Sequence, residues 1–341
     1  IIKKMGATLT NSNISPKTQM RDAVIDRLFD LSENDSDIMF FTADMGAEAL
    51  DKWRAKRKNQ YRDVGIAEQG MASIAAGMAR EGKHVFIYAI APFVVSRIHE
   101  HHKINAGIQG LPYNTIGVGT GFSYSDSGPT HYNTEDISLM RAVPNMEILS
   151  PSDSVMAANL AEYACYSDKP SYLRLERSVL PIISDESDPL ESGFREIKKG
   201  RDICIVSTGN MVHEALACSD ELESEGINVG VIDIYRLKPV NMKGLAELMY
   251  KYTFAVSLEE HLLNGGLGSI ISELITDLDL PLRLRRIGID DQFTYFYKRQ
   301  NIHRELAINK ERVKDTILST VNISQSPLSE SKAEVLESTI D

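Results

Sequence analysis

Cysteine is scarce in this chain. Only Cys165, Cys204 and Cys218 occur among 341 residues, and no two of them form a C-x-x-C pair. That argues against a disulfide framework or an iron–sulfur site and fits a reducing compartment. Long apolar runs are also missing: none reaches the roughly 20 residues of a membrane-spanning helix. The opening Ile1-Ile2-Lys3-Lys4-Met5 is too short and interrupted for a secretory signal, so the reading places the chain in the cytoplasm, away from membranes. Positive charge is in deficit, with 37 Lys and Arg against 48 Asp and Glu and a net charge of -11. A dedicated nucleic-acid binder normally shows a basic face; a local basic pocket for an anionic substrate stays compatible with this balance. What is present is ordinary for a globular chain, 43% hydrophobic and 25% charged. The length exceeds what one core usually serves, so two domains are expected.

Short apolar runs alternate with helical spacing along the chain. Met20, Val24, Leu28 and Leu31 space a helix over 18–31. Ile38–Thr42 reads as a strand broken by Ala43-Asp44-Met45-Gly46, and further strands are predicted at 84–88, 113–119, 146–150 and 171–175. Helices are predicted over 94–108 and 137–142, and after a cap at Ser152 or Asp153. This alternation implies an α/β fold, a mostly parallel sheet flanked by helices. Pro181, Pro189, Gly193 and nearby acids mark a linker over 181–194. A second alternation follows, with strands at 202–209, 228–233 and 254–260, and helices over 212–224 and from Gly265-Gly266-Leu267-Gly268 through Leu274. The domains are therefore expected at 15–180 and 195–320, with a poorly ordered tail over 321–341.

One run carries the chemistry. Asp63-Val64-Gly65-Ile66-Ala67-Glu68-Gln69-Gly70 sets a single acid between a small-residue turn and the Ala- and Gly-rich run Met71–Ala79, which reads as a tightly packed, buried helix. The helix start favours a negative Glu68, whereas burial favours its protonated form. A carboxyl between those pressures suits proton handling at neutral pH. An isolated Glu of this kind would more often just satisfy free helix amides.

Further motifs tip that balance. Gly65-Ile66-Ala67-Glu68-Gln69, Gly128-Pro129-Thr130-His131, Glu135-Asp136, Arg141-Ala142-Val143-Pro144-Asn145-Met146 and Ser150-Pro151-Ser152-Asp153 follow one another in order. Together they resemble the pyrimidine-binding half of the transketolase family, and the resemblance extends over most of residues 18–320. It implies a pyrimidine-binding α/β domain followed by a transketolase C-terminal domain. It implies thiamine diphosphate as cofactor, and a Mg or Ca ion held through a Gly-Asp-Gly…Asn motif of a separate N-terminal domain. No Gly-Asp-Gly occurs in this sequence. The resemblance is thus to the second subunit of a split transketolase, with a partner chain bringing the diphosphate and metal ligands. An assembly of two copies of each chain is the expected form.

The resemblance also implies roles. Glu68 takes the place of the acid that bonds the aminopyrimidine and favours the imino tautomer able to deprotonate the thiazolium. Ile66 adjoins it in the cofactor set. Phe93 stacks on the pyrimidine, with Tyr88 a weaker candidate for the same wall; a core aromatic is the plain alternative for each. Asp44 lies near the thiazolium or caps the next segment. His131 faces the sugar hydroxyls or fixes its loop. Arg21 and Arg177 hold a substrate phosphate, a task suited to guanidinium, or make surface ion pairs. Ser127, with Asp126 before it, stands where the family has an acid reading a donor hydroxyl. That departure, and the aromatic loop Gly121-Phe122-Ser123-Tyr124-Ser125, point away from the ordinary pentose-phosphate acceptor. A specialised or nucleotide-linked sugar is expected.

Two other readings compete: the beta subunit of a 2-oxo-acid dehydrogenase complex, and a non-catalytic scaffold. Two features read as decoys. His99-Glu100-His101-His102 resembles a metal cluster, but adjacent helical residues diverge, and an exposed polar face is expected. Gly265-Gly266-Leu267-Gly268 resembles a phosphate cradle but lacks a P-loop lysine, and a tight turn before a helix is expected.

Overall fold

The computed structural model describes residues 14–295 and 298–325. The first half contributes strands β1 (Ile38–Thr42), β2 (Tyr61–Asp63), β3 (His84–Ile90), β4 (Tyr113–Val118), β5 (Glu147–Leu149) and β6 (Ser171–Leu175). Among them run helices α1 (Met20–Leu31), α2 (Asp51–Lys56), α3 (Glu68–Arg80), α4 (Ala91–Val94), α5 (His99–His101), α6 (Asp136–Arg141) and α7 (Ser154–Cys165). The second half contributes β7 (Phe194–Lys198), β8 (Ile203–Ser207), β9 (Val229–Ile234), β10 (Arg236–Lys238), β11 (Phe254–Leu262) and β12 (Arg283–Ile289). Its helices are α8 (Met211–Ser224), α9 (Met242–Met249), α10 (Leu267–Asp277), α11 (Arg299–Glu305) and α12 (Lys310–Gln325).

Two mostly parallel sheets result. The first has seven strands in the order β10-β5-β6-β4-β3-β1-β2, the second five in the order β12-β11-β8-β9-β7. Among the described strands only β10 on β5 and β7 on β9 run antiparallel. Strands β1, β4, β5 and β6 are buried at every position, as expected of a parallel sheet covered on both faces. β3 shows the period of two: Val85, Ile87 and Ala89 pack toward α3, while Phe86 and Tyr88 pack on the opposite side with residues of α1 and α7. Short β10 belongs to the second half of the chain yet extends the first sheet, so the two units share a seam.

Several elements depart from expectation. α3 is buried on one face only: Met71, Ala72, Ala75, Ala76 and Ala79 are covered, whereas Gly70, Ser73, Ile74 and Gly77 are exposed. The helix predicted over 94–108 is broken into α4, α5 and a wider-wound turn over His102–Ile108. The tail is expected to be irregular from 321, but α12 continues to Gln325; residues 326–341 lie outside the described ones. The cap is Asp153, whose Oδ1 accepts the Met156 N–H at 2.8 Å.

The chain passes from β1 to β2 on one side and returns through α3 to β3 on the other. That reversal makes the carboxyl ends of β1 and β3 a topological switch point, where open α/β sheets bind their ligands.

Candidate active site

The segments leaving β1 and β2 are tied together there. Asp63 Oδ1 accepts the Gly65 N–H at 2.8 Å and the Asp44 N–H at 3.1 Å. Gly65 turns with φ +68°, a left-handed value that glycine adopts without strain. Asp44, itself at φ +52° and exposed, is held by the same carboxylate. Ile66 is 77% exposed, and Glu68 then opens α3 at only 4% exposure. Arg97 Nη1 donates to Glu68 Oε1 at 2.8 Å; Oε2 has no hydrogen-bond partner among the described residues.

Phe93, in α4 directly after β3, meets the same acid through Arg97. The Arg97 guanidinium lies 4.3 Å from the Phe93 ring centroid. His131 approaches the ring edge-on, with centroids 5.5 Å apart. His131 sits in the Gly128-Pro129-Thr130-His131 turn, its Nδ1 2.9 Å from Thr130 Oγ1 and its N–H bonded to Gly128 O at 3.0 Å. Glu68, Phe93 and His131, far apart in sequence, thus share one end of the sheet.

Tyr88 does not join that wall. Its place on β3 sends it to the other face, fully buried, with its ring 6.1 Å from Phe40. Burial holds its hydroxyl proton far more tightly than usual, while Arg21 and Tyr124 act on it from nearby. Arg21 makes a double contact with Asp22, at 2.8 and 3.2 Å. The Arg177 guanidinium lies 4.5 Å from the Tyr124 ring centroid and 3.8 Å from Asp126 Oδ1. Ser127 and Asp126 are exposed on one short helical turn. Arg21, Arg177, Asp126 and Ser127 therefore gather around Tyr124.

The second unit clamps the loop that carries these residues. Arg299 of α11 donates from Nε to Glu260 Oε1 and from Nη2 to Glu176 Oε2, each at 2.7 Å. His303 also bonds the Glu260 carboxylate. Glu176 in turn accepts the Ser123 hydroxyl at 2.7 Å and the Ser178 N–H at 2.8 Å. At Gly121, φ +55°, a Cβ would meet Glu260 Oε2 at 2.0 Å, so only glycine fits. Tyr132 donates to Thr294 O at 3.1 Å. Asp136 is fully buried and accepts Arg174 Nε at 2.7 Å and the Tyr172 hydroxyl at 2.8 Å. Sequence reasoning assigns no role to Asp63, Arg97, Glu176, Glu260 or Arg299. Arg97 alone carries a signal, one helical turn beyond Phe93.

The decoys resolve differently. His102 is expected on an exposed face but is fully buried, with Nδ1 2.9 Å from the Tyr113 hydroxyl and Nε2 2.7 Å from Val94 O. Burial pushes its pKa down to about 4. The Gly265–Gly268 turn is filled from within: Glu259 accepts the Leu267 and Gly268 N–H groups at 2.6 and 2.8 Å. An internal carboxylate occupies the place an external phosphate would need.

Residues 16–182 match the transketolase pyrimidine-binding domain, and residues 193–313 match the transketolase C-terminal domain. The chain belongs to the transketolase family. It is 31% identical over 276 residues to a 6-deoxy-6-sulfo-D-fructose transketolase subunit of Clostridium sp. strain MSTE9, covering 80% of this chain and 85% of that one. It is 28% identical over 309 residues to an apulose-4-phosphate transketolase subunit of Actinobacillus succinogenes, covering 90% of this chain and 99% of that one. Among solved structures, a split-gene transketolase described as an inactive beta4 tetramer superposes with a TM-score of 0.81. It is 27% identical, over 88% of this chain and 97% of that one. These similarities place the chain with the second subunits of split transketolases and favour that reading over a dehydrogenase beta subunit.

Membership carries dependence on thiamine diphosphate and on a partner subunit. The site fits one half of that cofactor. Glu68 Oε2 is unengaged within the described residues and Arg97 joins Glu68 to the Phe93 ring; an acid and an aromatic ring so linked would suit an aminopyrimidine. No three His, Cys, Asp or Glu stand together as a metal site among the described residues. None of the described helices is long and apolar enough to cross a membrane.

Proposed function

We propose that this chain is the pyrimidine-binding subunit of a transketolase moving a two-carbon ketol unit from a ketose donor to an aldehyde or ketone acceptor. The observation that carries this is the buried Glu68 carboxylate, set at the start of α3 and joined through Arg97 to Phe93. When bound, thiamine diphosphate supplies the carbon nucleophile and the electron sink. Glu68 holds a proton against the pyrimidine ring nitrogen, where exclusion of water strengthens the hydrogen bond. Phe93 supports the ring, with Arg97 fixing its orientation. Ile66 and Asp44 border the cofactor at the β1 and β2 ends. His131 faces the sugar hydroxyls across Phe93.

On the other side of the loop, Arg21 and Arg177 take the anionic end of the sugar, and Asp126 and Ser127 read its nearby hydroxyls. Sugars ending in phosphate or sulfonate, as in the names of the two relatives, suit such a pair. A partner chain brings the diphosphate and metal ligands, in an assembly of two copies of each chain in the cytoplasm. Residues 15–180 and 195–320 serve as the two domains, joined by 181–194.

Reconstitution with the partner tests this. Glu68→Gln removes the exchangeable acid, and proton exchange at the thiazolium carbon should slow by roughly 100-fold or more, the usual scale of general acid–base help. Exchange at the wild-type rate would remove the central assignment.

A further inference from the structure

The second unit contains a cavity that no step above uses. It has a volume of about 610 Å³ and lies between the edge strand β12 and α12. Among the described residues Arg283, Arg285, Arg286 and Arg312 line it, against Asp290 and Asp315. Four guanidinium groups facing two carboxylates make a positive site on a chain whose net charge is -11.

Within the described residues these arginines lack carboxylate partners although acids are plentiful; Arg283 instead lies 5.9 Å from the Phe254 ring centroid. On the same helix, Lys310 and Lys314 bond to Glu221 of α8, at 3.1 and 2.6 Å. None of the four arginines makes an ion pair among the described residues. Arg286 is also pre-positioned. Its Nη1 donates to Leu263 O at 3.1 Å, and its side chain runs so close to Gly268 that a Cβ there would meet Cδ at 2.8 Å. An edge strand carries charge to discourage sheet-to-sheet pairing, which accounts for charge on β12. It does not account for Arg312, which reaches the same cavity from a helix.

We infer that this cavity binds a small, multiply phosphorylated sugar. Its volume falls within the range of small-molecule sites, and arginine forks match phosphate oxygens in pairs. Thr316 and Ser319, on the α12 face that bears Arg312, donate to Arg312 O and Thr316 O and offer their hydroxyl oxygens as acceptors for sugar hydroxyls. Among the described residues no aromatic side chain lines the cavity, which favours a sugar over a nucleotide base that would need a ring to stack on.

Isothermal titration of the full-length chain tests this, with fructose 1,6-bisphosphate as probe and ADP as comparison. The bisphosphate should bind, more weakly as salt rises. The double substitution Arg285→Gln/Arg312→Gln, on exposed side chains, should weaken binding at least tenfold and leave the melting temperature unchanged. Arg21→Gln/Arg177→Gln, in the first unit, should leave this binding intact. Absence of binding, or binding that survives the first pair and falls with the second, would overturn the inference. Tighter binding of ADP through Arg285 and Arg312 would overturn its sugar assignment.

Discussion

The crevice above the first sheet and the seam between the two sheets are both rich in charge, and they use it in opposite ways. In the seam the strong charges are answered within the chain: Arg174 by Asp136, Arg299 by Glu260 and Glu176. In the crevice Glu68 has a single partner among the described residues, Arg97, whose side chain is 41% exposed, while Ile66 and Asp44 lie open. The seam's charges are paired within the chain, though Asp136 Oδ1 and Arg174 Nη2 keep no hydrogen-bond partner among the described residues, whereas the crevice leaves an acid half engaged and open to an outside group. The seam also serves the crevice, because Glu176 and Glu260 fix the loop from Gly121 to His131. The sharpest way to break this contrast is Arg299→Ala. It would strand Glu176 in the interior without its counter-charge and leave Glu260 only His303 as an ion-pair partner among the described residues, a loss of about 3–5 kcal/mol for a broken buried pair. Chemical denaturation of wild type and variant measures it, and a loss below about 1 kcal/mol would show that the seam is not the rigid part.

The seam should also answer to pH. His261 is fully buried, its Nδ1 2.7 Å from Leu262 O and its Nε2 accepting the Ile137 N–H at 3.2 Å. Burial is the leading reason its pKa falls from 6.5 to about 4. Between those values the unfolded chain takes up a proton that the folded chain refuses. Stability contributed by the neutral ring is therefore full above pH 6.5 and is lost as pH falls toward 4, by at most about 3 kcal/mol. Glu260 behaves as a carboxylate held low: burial alone would raise it, but Arg299 and His303 more than reverse that. Its contribution is present above the ordinary 4.5 and fails only in stronger acid. Melting temperatures of wild type and His261→Gln from pH 7.5 to 4 should converge as pH drops; parallel curves would exclude the histidine.

The same contrast explains what is legible in the sequence. Ile38–Thr42 can be read with correct bounds because a covered parallel strand is nearly continuously apolar; Ser171–Leu175 is read from its apolar Tyr172, Leu173 and Leu175 although it also carries Arg174. Glu68 and the Gly128–His131 turn stand out because motifs are local. The seam is illegible: Arg299 and Glu176 are 123 residues apart, and no periodicity encodes that meeting. Tyr88 reads as a neighbour of Phe93 because both are aromatic and near in sequence, yet the two-residue period of β3 sends it to the opposite face. α3 reads as wholly buried because Gly and Ala look the same in a core and on a face kept clear. His102 reads as exposed because its charged neighbours mask a single inward position.

The smallest expected effect is the most discriminating for the crevice. Arg97→Ala removes the only hydrogen-bond partner Glu68 has among the described residues, yet the arginine is partly solvated and such pairs contribute about 0–1 kcal/mol. Denaturation of the isolated chain should therefore change by less than about 1 kcal/mol. In the reconstituted assembly, the Phe93 ring loses the cation on its face and Glu68 loses its anchor, so thiazolium proton exchange should slow by roughly tenfold, the loss of orientation alone. A large fall in stability with unchanged exchange would mean that Arg97 braces the fold, and that the crevice is as finished as the seam.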